Sequence, residues 1–349
     1  MSVDLSRLRI GYVPYSDTLE MPGDRRRFVH YARDRNVSFE IADPGRSYDV
    51  VVLSERADIS VWTRYRKGKL VYDLIDSYLA IPRNDFKGRL RGLAKFVSRQ
   101  SRYLTLDYWK ALEAMCRRAD AVVCTTEEQK SDISEFCPNV HLILDAHASV
   151  ARTVKQSYAA SRPFRLVWEG LPYTLNSLEL IRPVLERLQP ALATELHLVT
   201  DLEYYRYLGR YGRRSTVETA RRLFTDVRLH AWREDDCAEI ICSCDLAVIP
   251  LTLADPFTAG KPENKLLLLW RMGMPVLASA TPAYVRAMAG ASLAMVCATE
   301  DEWYAALQKY AGDEAARYDA GQRGLAYAVT HYSEEKTLSR WDDLFRSLF

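Results

Sequence analysis

No apolar run in the chain approaches the roughly 20 residues that a membrane span needs, and residues 1–10 lack the apolar core of a secretory signal. No Gly-x-Gly-x-x-Gly follows a strand pattern, which argues against a dinucleotide-binding oxidoreductase. Cysteine is sparse: seven, an odd number, scattered over 349 residues. That is not a disulfide framework, and it fits a reducing compartment. Cys237, Cys242 and Cys244 lie close together with His230 nearby, yet no second Cys or His pair has ligand spacing. They are expected in the core, and no metal site is expected. Strong net charge is lacking too, at +2 overall. The expectation is a cytoplasmic protein, able to sit peripherally at the inner face of the membrane.

What charge there is falls unevenly. From 83 to 118 there are ten Lys or Arg against Asp85, Asp107 and Glu113, an excess of seven that leaves the remainder at −5. Within that region Leu90, Leu93 and Val97 share one helical face with Phe86 a turn earlier, while Lys87, Arg91 and Lys95 lie opposite. Such a basic amphipathic helix suits an anionic membrane surface or a phosphate-bearing lipid acceptor; the other reading is a solvated helix packed on its own domain. A second basic run, 204–222, has six arginines and four tyrosines. No recognition motif accompanies it, so nucleic acid is not an expected partner.

Roughly half the residues are apolar, enough for two cores, and the length suggests two domains. Strand patterns at 8–13, 38–41, 49–53, 69–73, 119–124 and 140–144 are mostly continuous in apolar residues, as parallel strands covered on both faces must be. Helical patterns lie between them at 24–34, 58–66, 104–118 and 127–136. Residues 151–163 are polar and end in Pro163, and read as a linker. The rhythm then restarts, with strands at 164–168, 195–200, 227–230, 246–250, 275–277 and 292–297. Helices are expected at 174–188, 215–225, 234–242, 262–272 and 282–288, then at 302–311, 313–331 and 334–349. The pattern predicts two doubly wound α/β, Rossmann-like domains, 1–150 and 164–332, facing a central cleft, with 333–349 packing back on the first.

The most informative segment is 244–278, CDLAVIPLTLADPFTAGKPENKLLLLWRMGMPVLA. A strand ends at Pro250, a loop holds Asp255, Pro256 and Gly260, and a helix is expected to open at Pro262. A helix N-terminus offers unpaired N–H groups and a partial positive charge, which suits a phosphate. Lys261 and Lys265 add full charges, and Gly260 leaves room for a ligand near the backbone. The plain alternative is an ordinary strand-to-helix turn with solvated lysines.

This segment resembles the C-terminal signature of the group-1 (family 4) glycosyltransferases of the GT-B fold. The matching residues are Asp245, Pro250, Leu251, Asn264, Lys265, Leu266, Leu267, Gly273, Pro275 and Val276. The likeness extends to RLVWEG at 165–170, with its Gly170 turn, and to VRLHAWR at 227–233, and it covers 164–349 best. In the first half it rests on YDLID at 72–76 and ADAVVCTTE at 119–127. The resemblance implies sugar transfer from a nucleoside-diphosphate-sugar to a glycan, lipid-linked saccharide or small molecule held by the first domain. It implies retention of anomeric configuration and no cofactor or metal, and the chain has no Asp-x-Asp. The family's two glutamates around this helix fall at Gly260 and Leu268, with Glu263 the only carboxylate nearby, and its two basic residues fall at Leu171 and Ser177.

Further candidates stand just past strand ends. Trp232 and Arg233 could stack on or hydrogen-bond a base, and Asp201 could face the donor or cap a helix. Asp76, and Asp145 with His147, could accept a proton from a sugar hydroxyl, or could equally be caps. The donor set is therefore Gly170, Asp201, Trp232, Arg233, Gly260, Lys261, Pro262, Glu263, Asn264 and Lys265, and the catalytic set Asp76, His147 and Glu263. Two competing functions remain: a sugar-nucleotide epimerase of the same fold, and a binding module that has lost donor chemistry through Leu171, Ser177 and Leu268.

Overall fold

Strands that are apolar along their whole length need cover on both faces, and a computed structural model of the chain shows where that cover comes from. The structure describes residues 4–207, 211–224 and 226–349, and the side chains of all of these except 86–89, 206, 207 and 211. The chain divides into two units. One comprises Met1–Ala146, Gly260–Pro262 and Glu334–Phe349, the other His147–Ala259 and Glu263–Ser333.

The first unit is built on β1 (Ile10–Val13), β2 (Glu40–Ile41), β3 (Val50–Ser54), β4 (Lys69–Asp73), β5 (Ala121–Cys124) and β6 (Val140–Leu142). They form one parallel sheet in the order β2-β1-β3-β4-β5-β6. Its helices are α1 (Pro22–Arg25), α2 (Phe28–Asp34), α3 (Ile59–Trp62), α4 (Phe86–Val97), α5 (Tyr108–Arg118) and α6 (Glu127–Ser134). Because strand side chains alternate between faces, Val51, Leu53, Leu70 and Tyr72 pack on Leu112 and Met115 of α5 and Ile133 of α6. Val50, Val52, Val71 and Val123 pack on Phe28 and Tyr31 of α2.

The second unit holds β7 (Phe164–Glu169), α7 (Arg182–Leu188), β8 (Thr194–Thr200), β9 (Glu203–Tyr207), β10 (Tyr211–Ser215), α8 (Thr216–Leu223), β11 (Val227–Ala231), α9 (Cys237–Cys242) and β12 (Leu246–Ile249). It continues with α10 (Pro256–Ala259), α11 (Asn264–Arg271), β13 (Val276–Ser279), α12 (Pro282–Gly290), β14 (Val296–Cys297), α13 (Glu300–Gly312) and α14 (Glu314–His331). Six of the strands make a second parallel sheet, ordered β11-β8-β7-β12-β13-β14, and β9 and β10 form a separate antiparallel hairpin. Among the described residues no helix is long and apolar enough to cross a membrane.

Several boundaries differ from the sequence pattern, each for a physical reason. The helix expected at 24–34 breaks at Arg26–Arg27, whose buried Arg27 guanidinium donates to Asp73 at 2.6 and 2.7 Å and to Asp145 at 2.9 Å. The helix expected at 174–188 is a 3₁₀ stretch, Pro172–Leu180, followed by α7, because Pro183 is tolerated only in a first helical turn. The helix expected from 104 starts at Tyr108, where Asp107 caps the N–H of Lys110 at 3.0 Å. The basic run from 204 becomes the β9–β10 hairpin, in keeping with the extended preference of its tyrosines. Residues 151–163 are no bare linker: Lys155 N–H bonds Met272 O, Tyr158 Oη bonds Gly273 O at 2.6 Å, and Arg317 donates twice to Tyr158 O. All seven cysteines are free thiols; Cys237 and Cys244 are buried and Cys242 partly so.

The chain ends in α15 (Glu334–Leu348), which belongs to the first unit. Trp341, 1 % exposed, stacks on Tyr31 at 5.8 Å, and Asp342 accepts from Tyr31 Oη at 2.9 Å and from Arg35 at 2.8 Å. Trp341→Ala empties the middle of this contact and is expected to destabilise the first unit by about 3–5 kcal/mol. Urea unfolding followed by fluorescence checks it; a loss below about 1 kcal/mol would show that α15 is dispensable to this core.

Candidate functional site

Ligands of open parallel sheets bind beyond the carboxyl ends of the strands. In the first unit those ends are held firmly. Past β4, Gln129 of α6 donates to the carbonyls of Leu74 at 2.7 Å and Asp76 at 3.1 Å, and Thr125 Oγ1 donates to Ile75 O at 2.7 Å. Asp76 is thereby fixed, and its N–H donates to Glu55 Oε2, one residue past β3, at 3.1 Å. Lys261 Nζ reaches Asp76 Oδ1 at 2.6 Å, and Ser77 Oγ donates to Gly260 O at 3.0 Å. So Gly260 and Lys261 lie against Ser77 and Asp76 within the first unit.

Glu55 was not among the residues singled out from sequence, although an acid directly after a strand pattern is the same signal that picked out Asp76. Burial first, and the neighbouring Asp76 charge second, push its carboxyl up to about 7, against a partial opposing pull from Lys261. Two carboxyls and one ammonium thus form a group able to hold or pass a proton near neutral pH. A folded-state value above the unfolded one means that the folded protein binds more protons between about 4.5 and about 7. Stability from this group is therefore present below that window and is lost as pH rises through it. Glu55→Gln is expected to flatten that fall between pH 5 and 8 in urea unfolding; an unchanged slope would show that Glu55 ionises normally.

In the second unit the corresponding place is where β7 ends and α11 begins. Gly170 follows β7 and donates its N–H to Val199 O at 3.2 Å. A Cβ at Gly170 would lie 2.6 Å from Lys265 Nζ and 2.8 Å from the Trp168 ring, and Lys265 Nζ lies 4.9 Å from that ring's centre. Helix α11 opens at Asn264, not at Pro262; Glu263 takes the cap position with no side-chain cap bond, and Pro262 is buried. Glu263, itself buried, accepts from Tyr332 Oη at 3.3 Å. Before it, α10 occupies part of the expected loop, with Asp255 accepting from Phe257 N–H at 3.2 Å and Thr258 Oγ1 at 2.5 Å.

The other candidates are spread more widely. Trp232, half-buried, follows β11 and donates its N–H to Thr200 O at 3.0 Å; Arg233 is exposed beside Asp236. Asp201 is exposed past β8, its carbonyl accepting from Thr216 Oγ1 at 2.6 Å. Asp145 accepts from the buried Arg27 guanidinium at 2.9 Å. His147 is buried at the start of the second unit. Leu268 is a core residue of α11, 1 % exposed. Sequence reading missed Trp168, whose ring carries Lys265, and Tyr332, which holds Glu263.

No family model matches the chain, and no curated protein matches it in sequence. Solved structures do match. HepE from Anabaena, in complex with UDP and glucose, is 12% identical with a TM-score of 0.68, over 98% of this chain and 100% of that one. Sucrose-phosphate synthase from Thermosynechococcus elongatus is 14% identical with a TM-score of 0.59, over 86% and 74%. TarM is 12% identical with a TM-score of 0.55, over 85% of this chain and 54% of TarM, so this chain spans about half of TarM's length. At such identities the likeness carries the fold. With two six-stranded parallel sheets and their covering helices, the chain has the α/β, GT-B architecture.

Proposed function

We propose that the chain is a glycosyltransferase that moves a sugar from a nucleoside-diphosphate-sugar to a carbohydrate or lipid-linked acceptor, with retention and without a metal or other cofactor. The observation that carries this reading is the Lys265 ammonium at the side-chain-free Gly170 turn, on the first turn of α11. A diphosphate is the ligand that such a corner suits. Backbone N–H groups of α11 and the helix dipole face its oxygens, Lys265 supplies a full charge, and Gly170 admits a close approach. The same groups stabilise the diphosphate as it leaves, which is the charge that develops in the transition state. Trp232 and Arg233, past β11, would meet the base, and Asn264 would add its N–H. Asp76, with Glu55 as its neighbour and Lys261 as its counter-ion, would orient the acceptor hydroxyl and take up its proton. His147 stands as a second candidate for that role. The acceptor would be presented at an anionic membrane met by residues 83–118.

UDP is the first nucleotide to test, since the HepE structure holds UDP and glucose. A second reading, a binding module without turnover, is favoured by Leu268, which places an apolar core residue where the resemblance implies a glutamate. An epimerase of the same fold would convert donor with no acceptor present. Lys265→Ala is expected to weaken UDP binding about ten- to a hundredfold in calorimetric titration, with the unfolding temperature kept. Unchanged affinity would remove the diphosphate from this corner. Asp76→Asn is expected to lower kcat by about a hundredfold or more while donor affinity stays within about twofold. A rise in KM for donor with kcat intact would place Asp76 in donor binding instead.

A further inference from the structure

Helix α4 carries its apolar residues on the side that a water-soluble protein would hide. Gly92 packs on its own unit so tightly that a Cβ there would lie 2.0 Å from Thr105 O. The Arg91 guanidinium lies over the rings of Tyr78, at 4.2 Å, and Tyr108, at 5.3 Å; Lys95 Nζ donates to Tyr108 Oη at 2.8 Å. The cationic face is thus turned toward the unit. Leu90, Leu93 and Val97, on the opposite face, are 44%, 44% and 72% exposed, and Phe96 beside them is exposed as well. The loop held against Gly92 adds Leu104 and Leu106, the latter 80% exposed. From 86 to 106 the sequence has six Lys or Arg and no acid, and Arg99 and Arg102 are exposed.

We propose that α4 and the 104–106 loop form a docking surface for an anionic lipid bilayer. Leu90, Leu93, Phe96, Val97, Leu104 and Leu106 enter the boundary between headgroups and acyl chains, and Arg99 and Arg102 meet lipid phosphates. A bilayer offers both an apolar interior and a uniformly negative surface, which is what this combination requires. A second copy of the chain would instead set like charges against one another around the same leucines. The inference rests on the membrane-borne acceptor of the functional reading for its purpose, and its test is scored apart from donor binding.

The full chain is sedimented with vesicles of phosphatidylcholine alone, or of phosphatidylcholine with about a third phosphatidylglycerol, at low and high salt. Binding to the anionic vesicles is expected to be at least about tenfold stronger, and to weaken with salt. The double variant Leu93→Asp with Val97→Asp is expected to abolish it, and Arg99→Ala with Arg102→Ala to reduce it, both with unchanged unfolding temperature. No binding, equal binding to both vesicle types, or full binding by the aspartate variant overturns the proposal. So does a concentration-dependent dimer that the aspartate variant dissolves. Vesicle binding without UDP binding in the titration would sustain the docking surface and count against the donor reading alone.

Discussion

The close approach of the Lys265 ammonium to Gly170 is the contact on which the proposed donor site of the second unit depends. A side chain at 170 would compete for the space now held by Lys265 Nζ and the Trp168 ring. The same absence of a side chain lets Lys265, on the first turn of α11, lie against the backbone at 170. That turn is held from below, since Leu266, Leu267, Leu268, Leu269 and Trp270 are all buried. Buried core on one side and Lys265 on the other frame the helix start proposed for the diphosphate. Glu263 and Tyr332 fix the cap position.

The first unit handles charge differently. Arg27 is buried in an ion pair with Asp73, at the end of β4, and Asp145, beyond β6. Elsewhere in the same unit Asp76 donates its N–H to Glu55 and pairs with Lys261. Burial first, and the Asp76 charge second, push Glu55 up to about 7, which makes this pair an acid–base candidate of the first unit.

Much of the fold was legible because a doubly covered parallel strand leaves a strong mark: 69–73 and 164–168 needed no more than their continuous apolar runs. The segment 244–278 was equally legible in outline, as strand, loop and helix. What escaped was set by tertiary contacts. Nothing local in Lys261 says that it reaches Asp76, 185 positions away in the chain, and Pro262 suited a helix start by its own preference while the structure opens α11 at Asn264. The β9–β10 hairpin was not foreseen, since 204–222 stood out only as a basic run with tyrosines. Helix α4 was correctly seen as amphipathic, but a helical wheel does not tell which side faces water; the packing of Gly92 on Thr105 O decides it.

The most direct measurement is a crystal structure of the chain soaked with uridine diphosphate. The account predicts phosphate oxygens within hydrogen-bond distance of Lys265 Nζ and of the first N–H groups of α11, alongside Gly170. Diphosphate density elsewhere, with Lys265 still lying on Trp168 and that corner closed by neighbouring side chains, would contradict it.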